Sequence, residues 1–379
     1  MTDQPNPLGL FDRPLSRRSF LARGAQGAAA VGLAGGLGSF LAACSSSAAK
    51  SASTPTSAAG TSSGAAAVAS GALTTAAIQF CYLENVQFAG SFFATTKGYY
   101  KNAGLDVTLL PGGPSLAPEP IVIAGKANVA ISHTAEVIGA INNGGDLKII
   151  GAGFQKNPTC ILSLAGNPIH TPTDMYGKKI GISDSNAPIW QSFVKANSLD
   201  VSKITVVAVG FDVTSVASKE IDGIMAFAAN EPTILKLKGL DTVSMMLGDF
   251  KYPLMEDLYI AKGSDLNDPA KMKTLVSMMK AESLGWADVV ADPNGAADLA
   301  VNNFGKDLKL DIAQQKLDAG IQNSFVADSD TKSHGLFWMT DDKIAGTIAS
   351  LALGGVKATA DMFTSAVLQE VYKGGSVPV

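Results

Sequence analysis

Four short segments hold most of the side chains that could do chemistry. They are Tyr82-Leu83-Glu84-Asn85-Val86-Gln87-Phe88, Ser132-His133-Thr134, Ser183-Asp184-Ser185-Asn186-Ala187 and Ala228-Ala229-Asn230-Glu231-Pro232. Each joins a short apolar run to a stretch with helical spacing. As caps, Asn85, Thr134, Asn186 and Asn230 would satisfy N–H groups at a helix start. A capped helix start can still aim its free N–H groups into a cleft. The chemistry on offer is recognition. A flat, neutral heterocycle needs apolar walls and a few aligned polar groups. Tyr82, Phe88, Trp190 and Tyr252 are candidate walls. Asn85, Gln87, Ser132, His133, Ser183, Asn186, Asn230 and Glu231 are candidate polar partners, with the Glu231 carboxylate suited to amino or ring N–H donors.

Charge points the same way. None of the four segments contains a Lys, and every Arg (Arg13, Arg17, Arg18, Arg23) lies close to the N-terminus. The remaining chain has no guanidinium fork with which to hold a carboxylate or phosphate in bidentate fashion. The 379 residues carry 29 basic and 33 acidic groups, a net charge of −4, which excludes a basic nucleic-acid binder. Three Cys and three His exclude a zinc-finger or disulfide framework. Motifs for a serine hydrolase, a zinc protease, a P-loop or a paired-cysteine redox site are missing. No catalytic residue, cofactor or metal is expected. Cys81 and Cys160 lie in apolar runs and read as buried free thiols.

The N-terminus reads as address, anchor and tether. Ser16-Arg17-Arg18-Ser19-Phe20-Leu21 is a twin-arginine export pattern. Ala22 and Arg23 follow it, where that pattern usually has a Lys. Gly24 to Ala43 is uncharged, and Leu41-Ala42-Ala43-Cys44 resembles a bacterial lipobox with Cys44 as the lipidated residue. Residues 1–43 are thus expected to be a twin-arginine lipoprotein signal peptide, with a membrane anchor through the lipid. Residues 44–73 are the lipidated Cys and a Ser/Ala/Thr/Gly tether too polar and too simple to build a core.

The elements that must position the four segments alternate in type. Strands are expected at Ala77–Tyr82, Leu105–Leu110, Ala127–Ile131, Leu147–Gly151, Lys179–Ile182, Thr205–Val209, Ile221–Phe227 and Val243–Leu247. Helices are expected after Asn85, from Ala135 to Asn142, from Pro188 to Asn197 and from Pro232 to Leu237, and from Pro269 onward the chain reads as mostly helical. Such alternation implies an α/β protein with mainly parallel sheets and helices on both faces. Ligands of such sheets sit at the carboxyl ends of the strands, where the four segments lie.

Several of these runs also carry a resemblance. Gln87-Phe88-Ala89-Gly90, Lys97-Gly98-Tyr99-Tyr100, Ala103-Gly104-Leu105-Asp106-Val107, Pro111-Gly112-Gly113-Pro114, Gly125-Lys126-Ala127-Asn128-Val129-Ala130-Ile131, Thr173-Asp174-Met175-Tyr176-Gly177-Lys178-Lys179-Ile180-Gly181, Ile221-Asp222-Gly223 and Asn230-Glu231-Pro232 occur in family order. Over about 77–266 the chain resembles substrate-binding proteins of ABC importers, in the nitrate/sulfonate/taurine and thiamine-pyrimidine-precursor superfamily. The C-terminal third matches only loosely. The resemblance implies a two-lobe periplasmic-binding-protein type II fold with a two-crossing hinge. On that basis lobe 1 is expected at 74–162 plus 259–379 and lobe 2 at 163–258, with crossings near 161–164 and 259–262. It implies an extracytoplasmic, monomeric solute-binding protein working with a permease and ATPase. The Asn-Glu-Pro resembles the branch that takes pyrimidine precursors and riboflavin. Binding of a nitrate-, sulfonate- or taurine-type anion in the same fold stays open. A related pyrimidine synthase uses iron and a cysteine-rich motif that this chain lacks.

Overall fold

The computed structural model of the protein describes residues 72–375. Ten strands form two five-stranded sheets. The first contains β1 (Thr74–Gln79), β2 (Leu105–Leu110), β3 (Val129–Ser132), β4 (Leu147–Phe154) and β10 (Glu256–Lys262), in the order β2-β1-β3-β10-β4. The second contains β5 (Thr159–Leu164), β6 (Lys179–Ile182), β7 (Thr205–Ala208), β8 (Gly223–Phe227) and β9 (Thr242–Met246), in the order β7-β6-β8-β5-β9. In each sheet the strand that arrives from the other sheet runs against its neighbours. β10 is antiparallel to β3 and β4, and β5 to β8 and β9. The remaining strands of each sheet share one direction, so the α/β, mainly parallel reading holds.

The two sheets share one topology because the chain crosses between them twice. It leaves the first sheet after Phe154 and enters the second at Thr159, and it returns between Met246 and Glu256. Those crossings lie several residues before the positions expected from sequence. The difference has a simple origin. The apolar runs Thr159–Leu164 and Glu256–Lys262 are full strands buried in the sheets, so the connection falls to the shorter Gln155-Lys156-Asn157-Pro158 and to 247–255.

The first lobe is held by a helix pair packed at very short range. Helix Ala89–Thr96 lies on the 23-residue helix Pro269–Ala291. A Cβ on Gly285 would sit 2.0 Å from the Gly90 carbonyl oxygen, and one on Gly90 would sit 2.1 Å from the Trp286 ring. Two glycines therefore set the approach. Beside them the Ser91, Tyr100 and Tyr259 hydroxyls donate to the buried Glu282 carboxylate. The Trp286 indole N–H donates to the Tyr259 oxygen at 3.0 Å. Burial raises the Glu282 pKa, while those three hydroxyls pull it the other way.

The C-terminal helices do more than cover one lobe. Helix Ile312–Val326 reaches helix Glu231–Leu237 of the second lobe, where Gln314 Nε2 donates to Asn230 Oδ1 at 2.9 Å. Helix Asp341–Leu353 packs against helix Ala187–Ala196. No helix among the described residues is long and apolar enough to cross a membrane.

Candidate functional site

A cavity of about 140 Å³ opens between the facing edges of the two sheets. The first lobe lends it Tyr82, Asn85 and Gln87 from the turn after β1, and His133 from the turn after β3. The second lends Asn186 from the turn after β6, and Asn230 and Glu231 from the turn after β8. These seven are residues that the sequence singled out, and they come from all four of its polar turns.

Local structure explains their placement. Asn85 caps a single helical turn, its side-chain oxygen accepting from the Gln87 N–H at 2.9 Å. The Glu231 side chain folds back on β8, where Oε2 accepts the Phe227 N–H at 2.8 Å and Oε1 accepts from Asn230 Nδ2 at 3.4 Å. Asn230 makes no side-chain cap bond, and its oxygen is taken by Gln314. His133, rather than Thr134, occupies the N-cap of helix Thr134–Asn142. Its Nδ1 stands 3.0 Å from Glu256 Oε1.

Five expected residues lie elsewhere. Phe88 is fully buried and stacks on Phe80 with ring centroids 4.3 Å apart. Trp190 and Tyr252 belong to a core cluster with Phe193, whose ring meets Tyr252 edge-on at 6.3 Å. All three aromatics are buried in the interior and none lines the cavity. Ser132 is buried against Glu119, to which its hydroxyl donates. Ser183 is also buried, and its hydroxyl accepts the Asn186 N–H. Arg17, Arg18 and Cys44 lie outside the described residues. Cys81 and Cys160 are both buried free thiols.

Other residues complete the wall. Phe211 and Phe227 take the place of the misplaced aromatics. Phe227 lies one residue before the turn the sequence marked, and Glu136 one helical turn after His133. Thr159 and Glu256 open β5 and β10. A rule that looks at strand carboxyl ends misses them, because these two antiparallel strands meet the cavity with their starts. Asp318 and Gln322 stand four residues apart on one face of helix Ile312–Val326, in the third of the chain with the weakest resemblance.

The wall therefore carries four carboxyl groups, Glu136, Glu231, Glu256 and Asp318, and among the described residues no Lys or Arg. Burial raises the pKa of Glu136 and of Glu231. Burial also pushes Asp318 up to about 7, against hydrogen bonds from the Thr233 hydroxyl and Gln314. The Tyr82 phenol is raised by burial and then by the Glu231 charge. Such a wall can accept hydrogen bonds from N–H donors and stack on a flat ring, and His133 is the one basic side chain in it.

A profile described as NMT1/THI5 like matches residues 85–296, more than half of the chain. The chain belongs to this family. Among its relatives, the riboflavin-binding protein RibY of Chloroflexus aurantiacus is 23% identical over 250 residues, covering 64% of this chain and 70% of that one. The formylaminopyrimidine-binding protein of Halalkalibacterium halodurans is 24% identical over 238 residues, covering 61% of this chain and 71% of that one. The periplasmic aliphatic sulphonate binding protein SsuA of Escherichia coli superposes with a TM-score of 0.56 at 13% identity, over 76% of this chain and 96% of that one. The last likeness concerns the fold, which is the two-lobe periplasmic binding-protein fold.

The assignment of Trp190 and Tyr252 to the core has a measurable consequence. Trp190→Ala and Tyr252→Ala are each expected to cost about 3–5 kcal/mol of stability, read as a lower urea midpoint. Tyr82→Ala, at the cavity wall, is expected to cost about 1 kcal/mol or less. An unchanged midpoint for Trp190→Ala would place that ring outside the core.

Proposed function

We propose that the protein is the extracytoplasmic, lipid-anchored solute receptor of an ABC importer, and that it captures a neutral or weakly cationic nitrogen heterocycle between its lobes. The observation that carries this is the cavity wall of four carboxyl groups with no Lys or Arg beside them. A pyrimidine or flavin ring presents amino and ring N–H donors, which ionised carboxylates and Asn side chains accept. Tyr82, Phe211 and Phe227 offer rings for stacking. The names of the two relatives support the same class of compound, a riboflavin-like or thiamine-pyrimidine-precursor solute. A nitrate, sulfonate or taurine would meet like charge with only helix N-termini and His133 to offset it.

In this reading Arg17 and Arg18 direct export, Cys44 carries the lipid, and residues 44–73 tether a monomeric body to the membrane's outer face. The two connections at 155–158 and 247–255 act as the hinge about which the lobes close, and a permease with its ATPase accepts the solute.

Isothermal titration of the purified chain with formylaminopyrimidine, riboflavin, taurine and nitrate tests the solute class. One or both heterocycles should bind and the two anions should not. Tight binding of taurine or nitrate alone would overturn the reading. The sign of the pH dependence follows from Asp318. A ligand that remains cationic binds its ionised form better, so affinity should rise with pH up to about 7 and level off above it. Asp318→Asn should flatten that rise.

The anchor is tested separately. In producing cells Cys44→Ser should move the protein from the membrane to the soluble fraction. Unchanged membrane retention would contradict lipid attachment at that residue.

A further inference from the structure

Three neighbouring strands of the first sheet bring a thiol, an imidazole and a carboxylate to one point. β1, β3 and β10 stand side by side. Cys81 lies two residues past the end of β1, His133 lies one past the end of β3, and Asp257 is the second residue of β10, which arrives from the opposite direction. One donor atom from each of the three lies within 4.8 Å of those of the other two. Cys81 and Asp257 are buried. The His133 side chain is 37% exposed, and it faces the cavity.

A second layer of side chains holds this trio. Gln87 Nε2 donates to both Asp257 oxygens, at 3.1 and 2.8 Å. Glu256 Oε1 stands 3.0 Å from His133 Nδ1, while Glu256 Oε2 accepts the Thr134 hydroxyl at 2.7 Å. A carboxylate paired with a histidine ring in this way fixes its orientation and tautomer for metal binding. Asp257 also holds a backbone φ of +51°, in the left-handed region. A residue with a side chain persists there only where its surroundings over-determine it.

We infer that Cys81, His133 and Asp257 form a three-ligand site for a borderline-soft divalent metal ion of the zinc class, set in the first-lobe wall of the cavity. Sulfur, imidazole nitrogen and carboxylate oxygen are the donors zinc takes, at bond lengths of about 2.0–2.3 Å. Around an ion at those lengths the donor atoms would stand ~3.3–3.8 Å apart, so the three side chains need draw in by no more than an ångström or so. A thiolate and a carboxylate together balance a double positive charge. Magnesium and calcium prefer oxygen-only shells and are poor matches. Three protein ligands leave one coordination position open. His133, Gln87 and Glu256 belong to the cavity wall, so the site borders the cavity. The inference does not depend on which solute the protein carries.

Cobalt(II) reports on the site directly, because a thiolate bound to it gives a sulfur-to-metal charge-transfer band. The full-length chain, and a Cys44→Ser/Cys160→Ser chain in which Cys81 is the sole thiol, should each take up one cobalt with that band and release it to zinc. Adding Cys81→Ser should abolish the band. Asp257→Asn should weaken zinc affinity about 100-fold or more, with circular dichroism confirming the fold. Absence of cobalt uptake by the folded wild-type chain, uptake without a sulfur band, or a band that survives Cys81→Ser would overturn the site. The last two results would leave the trio as a hydrogen-bonded cluster only. Heterocycle titrations on the same samples keep this outcome separate from that of the solute reading.

Discussion

The arrangement of this protein turns on buried carboxyl groups that have no Lys or Arg partner. Glu231 and Asp318 are almost fully enclosed, and both stand in the cavity wall. Taking an ionised carboxylate out of water is costly unless donors compensate it. The chain provides a few: the Phe227 N–H for Glu231, and the Thr233 hydroxyl with two glutamine amides for Asp318. They compensate only in part, which is why burial still raises both acids. In the proposed reading a solute bearing N–H groups completes the set and an anion does not.

The topology is what gathers these acids. Two sheets of identical order face each other, and each contains one reversed strand that comes from the opposite lobe. That reversal points the starts of β5 and β10 at the same cleft as the ends of their neighbours. Thr159 and Glu256 thereby join turn residues from β1, β3, β6 and β8. The crossings that connect the lobes and the residues that line the cleft are thus adjacent in sequence. β10 thus belongs both to the connection between the lobes and, through Glu256, to the wall itself. Helix Ile312–Val326 adds a second link, with Gln314 bonded to Asn230 across the cleft.

Much of this was legible in the sequence, for physical reasons. β2 and β6 match the expected strands residue for residue, because bounded apolar runs flanked by turn residues have few alternatives. The four polar turns were legible because a strand-to-helix turn needs capping side chains whatever else it does. Two things were not. The crossings expected near 161–164 and 259–262 fall inside strands Thr159–Leu164 and Glu256–Lys262, since period and composition do not reveal which partner a strand pairs with. Aromatic side chains were equally ambiguous. Trp190 sits near a cavity turn in sequence, but one helical step turns a ring from cleft to core, and Tyr252 packs edge-on against Phe193 in the same cluster. Asp318 and Gln322 could be found only through tertiary contact, from a helix 80 residues or more beyond the turn they face.

The central claim is that the cleft is built for a nitrogen heterocycle and against fixed negative charge. Native mass spectrometry of the intact protein released from producing cells tests it most directly, because it identifies the natural occupant without a chosen panel. The account predicts a bound mass that fragments as a heterocycle lacking phosphate and sulfonate groups. A bound sulfonate, phosphate or other oxyanion would contradict it.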